Sequence, residues 1–409
     1  MKENILVVFG GKSAEHDISI ITGLQAISNV DREKYNVIPL YISKENEFFV
    51  GEKLCYLSTY MPFLKSKNGI FKASLIAGDR YLYSVKKSAK IYYKGEKGKE
   101  IIEKSTKNAK KTKKTRKKLK KLVKIDCAVL CGHGKSGEDG SLQGLLNLAG
   151  IPYTSSNLTS SSLCLDKIFM KDVIKSNGYD TADYLSFDKT EYILEPEMVF
   201  SKIESLGYPV FLKPANLGSS IGISKCKNRE ELEVGIEVAI KYDRRILVEK
   251  SIENNIEVNC AVFGNGAYVL PSNVEFPKTS NSFLTFDEKY IQRKEAVGSA
   301  KKFKSKISKQ QEEKVKELAM ALFKTFDCKG VVRIDFLIDK EDNKIYVNEL
   351  NSIPGSLAFY LFKDKFDFKT LLNRMIDNAK KAQKEEEKMD LNFTSSALNN
   401  FNNSIKMNK

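Results

Sequence analysis

The chain has 409 residues and a formal net charge of +16, and 42% of its residues are hydrophobic. This length predicts two to three domains with a sizeable core. The longest apolar runs, Ile5 to Phe9 and Ile125 to Cys131, are far shorter than the ~20 residues of a membrane-spanning helix, which argues against a transmembrane protein.

The compartment is predicted from the N-terminus and the cysteines. The first apolar stretch runs directly into glycines and charges, which predicts a first β-strand and not a signal peptide. The seven cysteines are scattered and form no C-x-x-C pair, so the closest two, Cys127 and Cys131, are predicted to be small buried residues and not a metal or redox site. Together these features predict a soluble cytoplasmic protein.

In chain order, the sequence opens with an α/β rhythm. Residues 4–9 predict a buried strand, residues 18–30 a helix and residues 35–43 a second strand. The aromatic-rich stretch 44–84 shows no clear pattern of elements.

The basic charge is concentrated in residues 86–124. This segment holds 18 Lys and Arg against three Glu, which gives it a net charge of +15 and leaves the rest of the chain near neutral. Because it has few large apolar groups, it is predicted to be a solvated, mobile insertion. The alternative is a basic arm that attracts RNA, anionic lipid or an acidic partner.

From residue 125 onward the pattern alternates strands and helices. Strands are predicted at 125–131, 208–214, 222–226, 246–250 and 256–264, and helices after the Gly-rich loop 131–140 and at 163–178, 228–243 and 306–330. A polar loop is predicted at 271–304. Strands at 331–339 and 344–351 form a hairpin, and a last helix at 368–383 precedes a polar tail predicted to be disordered from about residue 384.

The hairpin carries four polar side chains. Strand alternation places Arg333 and Asp335 on one face of its first strand, and Glu349 and Asn351 on one face of its second strand. Carboxylate and amide oxygens suit Mg²⁺, which predicts a metal site at this hairpin. A salt-bridged amphipathic hairpin is the alternative.

Gly-rich loops follow several predicted strands. Lys213 lies at a strand end before a Gly- and Ser-rich loop, whose backbone N–H groups would suit phosphates, although an ordinary turn is the alternative. The two histidines, His16 and His133, both lie in Gly-rich loops after apolar strands, where α/β sheets bind their ligands. A structural role is the alternative for either histidine.

The motifs FGGKSAEHDIS, HGKSGEDGSLQGLLNLAGIPYTSS, LDK, FLKPANLGSSIGISK, ILVEK, FDEKY, VRIDF and NELNSIPG occur in this order. The sequence therefore resembles D-alanine–D-alanine ligases of the ATP-grasp superfamily over about residues 4–380, apart from the basic segment. The resemblance implies α/β and α+β architecture, with a Rossmann-like N-terminal (pre-ATP-grasp) domain followed by a two-part ATP-grasp fold. The implied parts are a substrate domain at 1–165, a central subdomain at 166–255, a C-terminal subdomain at 256–383 and the tail at 384–409.

The resemblance also implies the ligand sites. ATP is expected at Lys167 and Lys213 through its phosphates, at Glu249, Lys250 and Ile252 through adenine, and at Glu257 through ribose. Two Mg²⁺ (or Mn²⁺) ions are expected on Asp335, Glu349 and Asn351, with Glu349 bridging both. For the substrates, Glu15 is expected to receive the ammonium group of the first amino acid, beside His133. Ser219 and Tyr290 are expected to hydrogen-bond with Glu15, and Lys289 is expected to reach the γ-phosphate. Arg333 and the Gly355 amide are expected to form the oxyanion hole.

The implied reaction is ATP-dependent ligation of two D-alanines through a D-alanyl phosphate, for peptidoglycan synthesis, cell-wall biogenesis and cell shape, by a homodimer. A mobile loop at 271–305 is expected to exclude water. After NSIPG the chain departs from the family pattern, and Tyr360 stands where an acceptor-binding serine or threonine is usual. Tyr290 argues against D-lactate as the acceptor, which leaves D-serine as an alternative. A nucleic-acid-binding protein on an ATP-grasp scaffold is the second alternative.

Overall fold

The computed structural model describes residues 2–61, 69–85, 119–266, 268–277, 307–390 and 395. Among these residues the strands form three sheets with helices packed against them, so the mixed α/β character predicted from the sequence is confirmed. All seven cysteines are described, all are buried, and none forms a disulfide. Within the described ranges, no helix combines the length and the apolar character that a membrane crossing requires.

The first sheet has seven strands in the order β6-β5-β4-β3-β2-β1-β7. They are β1 (Glu3–Gly10), β2 (Tyr35–Ile42), β3 (Phe48–Val50), β4 (Phe71–Ile76), β5 (Asp79–Ser84), β6 (Lys120–Lys124) and β7 (Cys127–Leu130), with helices α1 (His16–Asn29) and α2 (Ser141–Ala149). β1 runs parallel to β2 and β7, and the other neighbours are antiparallel. The run Ile5 to Phe9 is fully buried, as expected for a central strand of a covered parallel sheet.

Two parts of this sheet differ from the sequence predictions. The stretch 44–84 contains β3, β4 and β5. Residues 120–124, which were assigned to the mobile insertion, instead form β6, because Leu122 and Val123 pack against the core while their backbone pairs with β5. Residues 86–118 lie outside the described residues, so the mobility of that part and the basic-arm alternative stay predictions.

The second sheet is antiparallel, with the order β10-β9-β11-β8. Its elements are β8 (Tyr184–Asp188), β9 (Val210–Pro214), β10 (Ser224–Cys226) and β11 (Arg245–Lys250), with α3 (Leu158–Leu165), α4 (Lys167–Ser176), α5 (Lys189–Leu194), α6 (Pro196–Ser205) and α7 (Arg229–Ala239) nearby. The single helix predicted at 163–178 is wrong. Asp166 has extended backbone and its carboxylate accepts the Ile168 and Phe169 N–H groups, so it ends α3 and caps α4.

The third sheet is also antiparallel, with the order β13-β12-β14-β15. It contains β12 (Asn255–Gly264), β13 (Val269–Glu275), β14 (Gly330–Asp339) and β15 (Ile345–Asn351), and α8 (Lys309–Thr325) packs on it. The prediction of a loop from Pro271 is therefore wrong for residues 271–275, which pair with β12. The fully buried Ser272 hydroxyl supports this pairing because it accepts the Ala261 N–H of β12. Residues 278–306 lie outside the described residues.

The last helix, α9 (Phe368–Glu386), packs on β7 of the first sheet and also contacts β14 of the third sheet. Leu371, Leu372 and Ile376 are fully buried in the same hydrophobic core as β1. This return brings the segment after β15 against α1. The predicted tail boundary near residue 384 is three residues early, because α9 continues to Glu386; residues 391–394 and 396–409 lie outside the described residues.

Candidate active site

The inter-sheet cleft lies between the second and third sheets. All six residues that the sequence assigned to ATP line it, namely Lys167, Lys213, Glu249, Lys250, Ile252 and Glu257. They come from α4, β9, β11, the segment after β11, and β12, so the cleft exists only once the two sheets face each other. Its far wall includes Asn348 and Glu349 of β15.

Glu249 is held between two lysines at the closed end of this cleft. Its carboxylate forms ion pairs with Lys213 and, at 2.5 Å, with Lys171, and all three side chains are largely buried. Burial by itself would raise the pKa of Glu249, but the two ammonium groups lower it to about 2. Glu249 is therefore a fixed carboxylate at neutral pH, facing the space between the sheets.

Lys171 was missed by the sequence reasoning. It is 1% exposed, and its Nζ also lies 2.5 Å from Thr181 Oγ1. Burial lowers its pKa, which the Glu249 charge opposes. The available signal was its position four residues after Lys167 on one helix, a spacing that places both ammonium groups on the same face of α4.

The other two lysines of the cleft differ in their surroundings. The Lys167 ammonium donates to the Leu217 carbonyl at the start of the Gly- and Ser-rich loop, and burial lowers its pKa. The Lys250 ammonium instead donates to the carbonyls of Gly207 and Tyr208, at 2.8 and 3.0 Å. The Lys250 side chain is thereby occupied by hydrogen bonds within the protein, which leaves its backbone for contacts with a ligand of the cleft.

The predicted metal-ligand side chains meet across the β14–β15 ladder. Asp335 pairs in register with Glu349, and Arg333 pairs with Asn351. Arg333 donates two 2.7 Å hydrogen bonds to the Asp335 carboxylate, and Asn351 Nδ2 lies 3.3 Å from Asp335 Oδ2. The structure thus brings the two carboxylates, the amide and the guanidinium together. Asp335, Glu349 and Asn351, with Arg333 beside them, are called the metal-ligand patch below.

A β-bulge in β15 was not visible in the sequence. The register shifts between Asp335 and Phe336, so Asn348 is left without a ladder partner on β14. The Asn348 amide oxygen accepts a 3.3 Å hydrogen bond from Lys213 Nζ. The bulge therefore links the second and third sheets beside the metal-ligand patch.

Glu15 lies where three loops converge, and it is 7% exposed. The Ser219 hydroxyl donates to its carboxylate, as the resemblance implied. Gly134 and Gly218 pack so closely that a Cβ atom at either would lie 2.7 or 2.6 Å from Glu15 Oε2. Glycine at both positions makes room for this carboxylate. Tyr290 and Lys289, the other two residues assigned near it, lie outside the described residues.

His133 is 3% exposed and both of its ring nitrogens have protein partners. Nδ1 lies 2.8 Å from the Ile353 carbonyl oxygen, and Nε2 lies 2.8 Å from Thr22 Oγ1. Burial lowers the pKa of His133 to about 4, with a further contribution from the Arg333 charge. His133 is therefore neutral at physiological pH, and it bridges the first sheet and the segment after β15. His16, in the other Gly-rich loop, is similarly engaged by Gly11 and Tyr41.

Glu138, the glutamate of the HGKSGEDG motif, is a second buried bridge that the sequence reasoning missed. Its carboxylate accepts the Gly134 N–H at 2.7 Å and the Ile353 N–H at 3.0 Å. Burial, helped by the nearby Glu15 charge, raises its pKa to about 8. A glutamate inside a Gly-rich loop was the signal that could have identified it.

The segment that these side chains hold is the 353–358 turn, from Ile353 to Ala358. Ser356, Leu357 and Ala358 have φ values of 53°, 50° and 45°, the left-handed region that non-glycine residues avoid at a cost of about 1–2 kcal/mol each. Gly355 lies directly before them. Two residues beyond the turn, the Tyr360 hydroxyl donates to Glu275 Oε2 at 3.1 Å.

Comparison with known proteins identifies the family. The model for the D-Ala-D-Ala ligase N-terminus matches residues 4–156, and the model for the D-Ala-D-Ala ligase C-terminus matches residues 173–377. The D-alanine–D-alanine ligase of Thermosipho melanesiensis is 39% identical over 382 residues, which cover 91% of this chain and 92% of that protein. The chain belongs to the D-alanine–D-alanine ligase family.

Solved structures place this ligase in the same fold. The D-alanine–D-alanine ligase from Coxiella burnetii superposes with a TM-score of 0.72 at 24% identity, covering 95% of this chain and 96% of its own. The Bacillus anthracis ligase complexed with ATP gives 0.61 at 23% identity, covering 94% and 99%. The predicted fold class, a Rossmann-like N-terminal domain followed by a two-part ATP-grasp fold, is confirmed.

Proposed function

We propose that this ligase joins two D-alanines to D-alanyl-D-alanine, with ATP as the energy source, for peptidoglycan precursor synthesis and hence for the cell wall and cell shape. The observation that carries the proposal is that the cleft is lined by Gly218 and Ser220, which flank the Ser219 that holds Glu15, and by Glu349, the cross-strand partner of Asp335, in a chain of this family. A carboxylic acid is a poor electrophile, so phosphoryl transfer to it must precede attack by an amine.

ATP fits the inter-sheet cleft by its chemistry. The Glu249 carboxylate accepts a hydrogen bond from the adenine amino group, and the backbone of Lys250 and Ile252 meets the ring edge. Glu257 binds the ribose hydroxyls. Lys167, whose ammonium contacts the Gly- and Ser-rich loop, and Lys213 face the phosphates, and the N–H groups of the loop add fixed dipoles. The ATP complex of the Bacillus anthracis relative supports this assignment.

The patch at Asp335, Glu349 and Asn351 fits Mg²⁺ or Mn²⁺. Its donors are two carboxylates in cross-strand register and one amide, the hard oxygen ligands that Mg²⁺ prefers. Two ions bound there would neutralise charge on the transferring phosphoryl group and hold it in line. Arg333, which shares the Asp335 carboxylate, keeps its position through that pair.

Glu15 positions the first D-alanine by accepting its ammonium group, and Ser219 fixes the Glu15 carboxylate. The substrate carboxylate then lies toward Arg333 and the metal-ligand patch and takes the γ-phosphoryl group. This step is chiefly positioning and charge neutralisation, in which Lys167, Lys213 and, from the loop beyond Pro277, Lys289 take part.

The amine of the second D-alanine attacks the acyl-phosphate carbonyl, and phosphate leaves. Negative charge develops on the carbonyl oxygen, where the Arg333 guanidinium and the Gly355 N–H stabilise it. One such donor is worth about 3 kcal/mol of transition-state stabilisation. Tyr290, which the resemblance pairs with Glu15 and Ser219, lies outside the described residues, as does most of the 271–305 segment that is expected to exclude the water that would hydrolyse the intermediate.

The acceptor pocket is shaped by Tyr360. Its hydroxyl donates to Glu275, and its ring lies close enough to Arg333 for the two groups to interact electrostatically. A bulky ring at this position favours a small acceptor side chain. D-alanine is the proposed acceptor and D-serine is the alternative, since one added hydroxyl is rejected only about 100-fold by an apolar pocket.

The test is product formation by the purified protein. With Mg·ATP and D-alanine we expect phosphate release and a D-alanyl-D-alanine mass, and a mixture of D-alanine, D-serine and D-lactate identifies the preferred acceptor. Phosphate release that does not depend on a D-amino acid would refute the proposal. Glu349→Gln should lower kcat at least about 100-fold, whereas Glu341→Gln, on the exposed hairpin tip, should not.

The remaining assignments are part of the same proposal. The domain limits 1–165, 166–255 and 256–383 agree with one sheet in each segment, although α9 belongs by packing to the first core. A homodimer in the cytoplasm is proposed as well. Analytical ultracentrifugation tests the dimer, and cell fractionation tests the location.

A further inference from the structure

The 353–358 turn has a conformation that its own sequence disfavours. Ser356, Leu357 and Ala358 are consecutive non-glycine residues at positive φ, a region that only glycine tolerates freely. Such strain persists when surrounding groups fix it. The question is therefore which groups outside the turn hold it.

Two side chains of the HGKSGEDG loop hold one peptide unit from both sides. The Ile353 N–H donates to Glu138 Oε1 at 3.0 Å. The Ile353 carbonyl accepts from His133 Nδ1 at 2.8 Å. Both side chains are less than a tenth exposed, so water does not compete effectively for either hydrogen bond.

The direction of every hydrogen bond in this chain of contacts is fixed. A carbonyl oxygen only accepts, so His133 Nδ1 carries the ring proton and Nε2 is the bare nitrogen. The Thr22 hydroxyl, 2.8 Å away, must donate to Nε2. Its oxygen is then free to accept the Ser356 N–H at 3.1 Å, and it does so.

These contacts fix the turn on both sides of Gly355, at Ile353 and at Ser356. We propose that Thr22, His133 and Glu138 are positioning residues that aim the Gly355 amide at the carbonyl oxygen that becomes negative during peptide-bond formation. The inference rests on the proposed ligase function. It gives His133 a role through the turn and not through contact with the first substrate.

The main test is Thr22→Val, which replaces the hydroxyl by a methyl group of similar size. We expect kcat to fall at least tenfold, with KM for ATP unchanged. Binding of a phosphinate dipeptide, whose tetrahedral oxyanion resembles the transition state, should weaken by a similar factor. Glu138→Gln, which keeps the side-chain shape but adds an N–H₂ group toward the Ile353 N–H, should act in the same direction.

The matched control is Thr154→Val, which removes a buried hydroxyl whose hydrogen-bond partner is the Leu130 N–H and not the turn. It should leave kcat and phosphinate affinity as in the wild type. Ser356→Gly in the Thr22→Val background should recover at least threefold of the lost kcat, because glycine needs less support at positive φ.

Three results would overturn the inference: wild-type kcat in Thr22→Val, an equal loss in Thr154→Val, or no recovery with Ser356→Gly. Each of them presupposes an active wild-type ligase. If the wild-type protein releases no phosphate with D-alanine, the proposed function itself fails, which is a separate outcome.

Discussion

The inter-sheet cleft and the 353–358 turn lie on either side of the metal-ligand patch, and they are built from different interactions. In the cleft, Glu249 is fixed by the full charges of Lys171 and Lys213. At the turn, the position of the backbone is fixed by a neutral histidine, a hydroxyl and a buried glutamate.

The difference follows from the chemical group that each of the two regions is proposed to bind. A nucleotide brings its own charges, so charged side chains in the cleft balance one another and are proposed to bind it as well. The proposed oxyanion is transient, and the proposed donor is a backbone N–H, whose direction depends on the peptide units around it. Charge at the cleft and hydrogen-bond direction at the turn are therefore the two properties to perturb.

The largest effect is expected from removing a charge in the cleft. Lys171→Met leaves the buried Glu249 carboxylate with one partner, and loss of one member of a buried pair costs about 3 to 5 kcal/mol of unfolding free energy. Lys175→Met, one turn later at the exposed C-terminal end of α4, should cost less than about 1 kcal/mol. Urea unfolding measures both, and equal costs would show that the buried pair is not special.

The next effect is a pH dependence at the turn. The pKa of His133 is about 4 in the folded protein against an ordinary value of 6.5. Between these values the unfolded chain binds the extra proton, so stability falls as pH falls from 6.5 to 4, by about 3 kcal/mol in total. Urea unfolding across this range should show that slope in the wild type and a smaller slope in His133→Asn; identical slopes would contradict it.

A smaller effect is expected from one neutralised group in the cleft. Glu257→Gln weakens the hydrogen bonds proposed to the ribose and should raise KM for ATP about tenfold, or about 1.4 kcal/mol, with KM for D-alanine unchanged. Glu230→Gln, exposed in the first turn of α7, is the matched control. A parallel rise in KM for D-alanine would place Glu257 elsewhere in the reaction.

The smallest effect is a gain in stability at the turn. Ser356→Gly relieves positive φ at a residue that is not fully buried, and it should stabilise the protein by about 1 kcal/mol. Asn343→Gly, at φ 62° in the exposed β14–β15 hairpin, should gain less because asparagine tolerates this region. Thermal unfolding compares the two, and a loss in Ser356→Gly would mean that the turn carries no strain.

Much of the cleft was predictable from the sequence. Lys213 and the polar faces of the β14–β15 hairpin were identified from strand periodicity and side-chain chemistry. The resemblance to a known family supplied the other ATP-binding candidates, which are Lys167, Glu249, Lys250, Ile252 and Glu257. Lys171 was missed because a lysine on an amphipathic helix ordinarily faces solvent. β13 and β6 were missed because their residues are too polar for periodicity to separate a paired strand from a loop.

The amino-acid sequence by itself determined which residue types reach the candidate site: carboxylates and an amide on the β14–β15 hairpin, lysines beside the Gly- and Ser-rich loop, and glycines in the loops near Glu15. It did so because strand and helix periodicity fix which side chains share a face over a few residues. Only the tertiary structure decided how His133 and Glu138 act, since their partner, the Ile353 peptide, is more than 200 residues away. A backbone amide and carbonyl carry no residue-specific signal, and their direction exists only after the chain has returned through α9 to the first sheet.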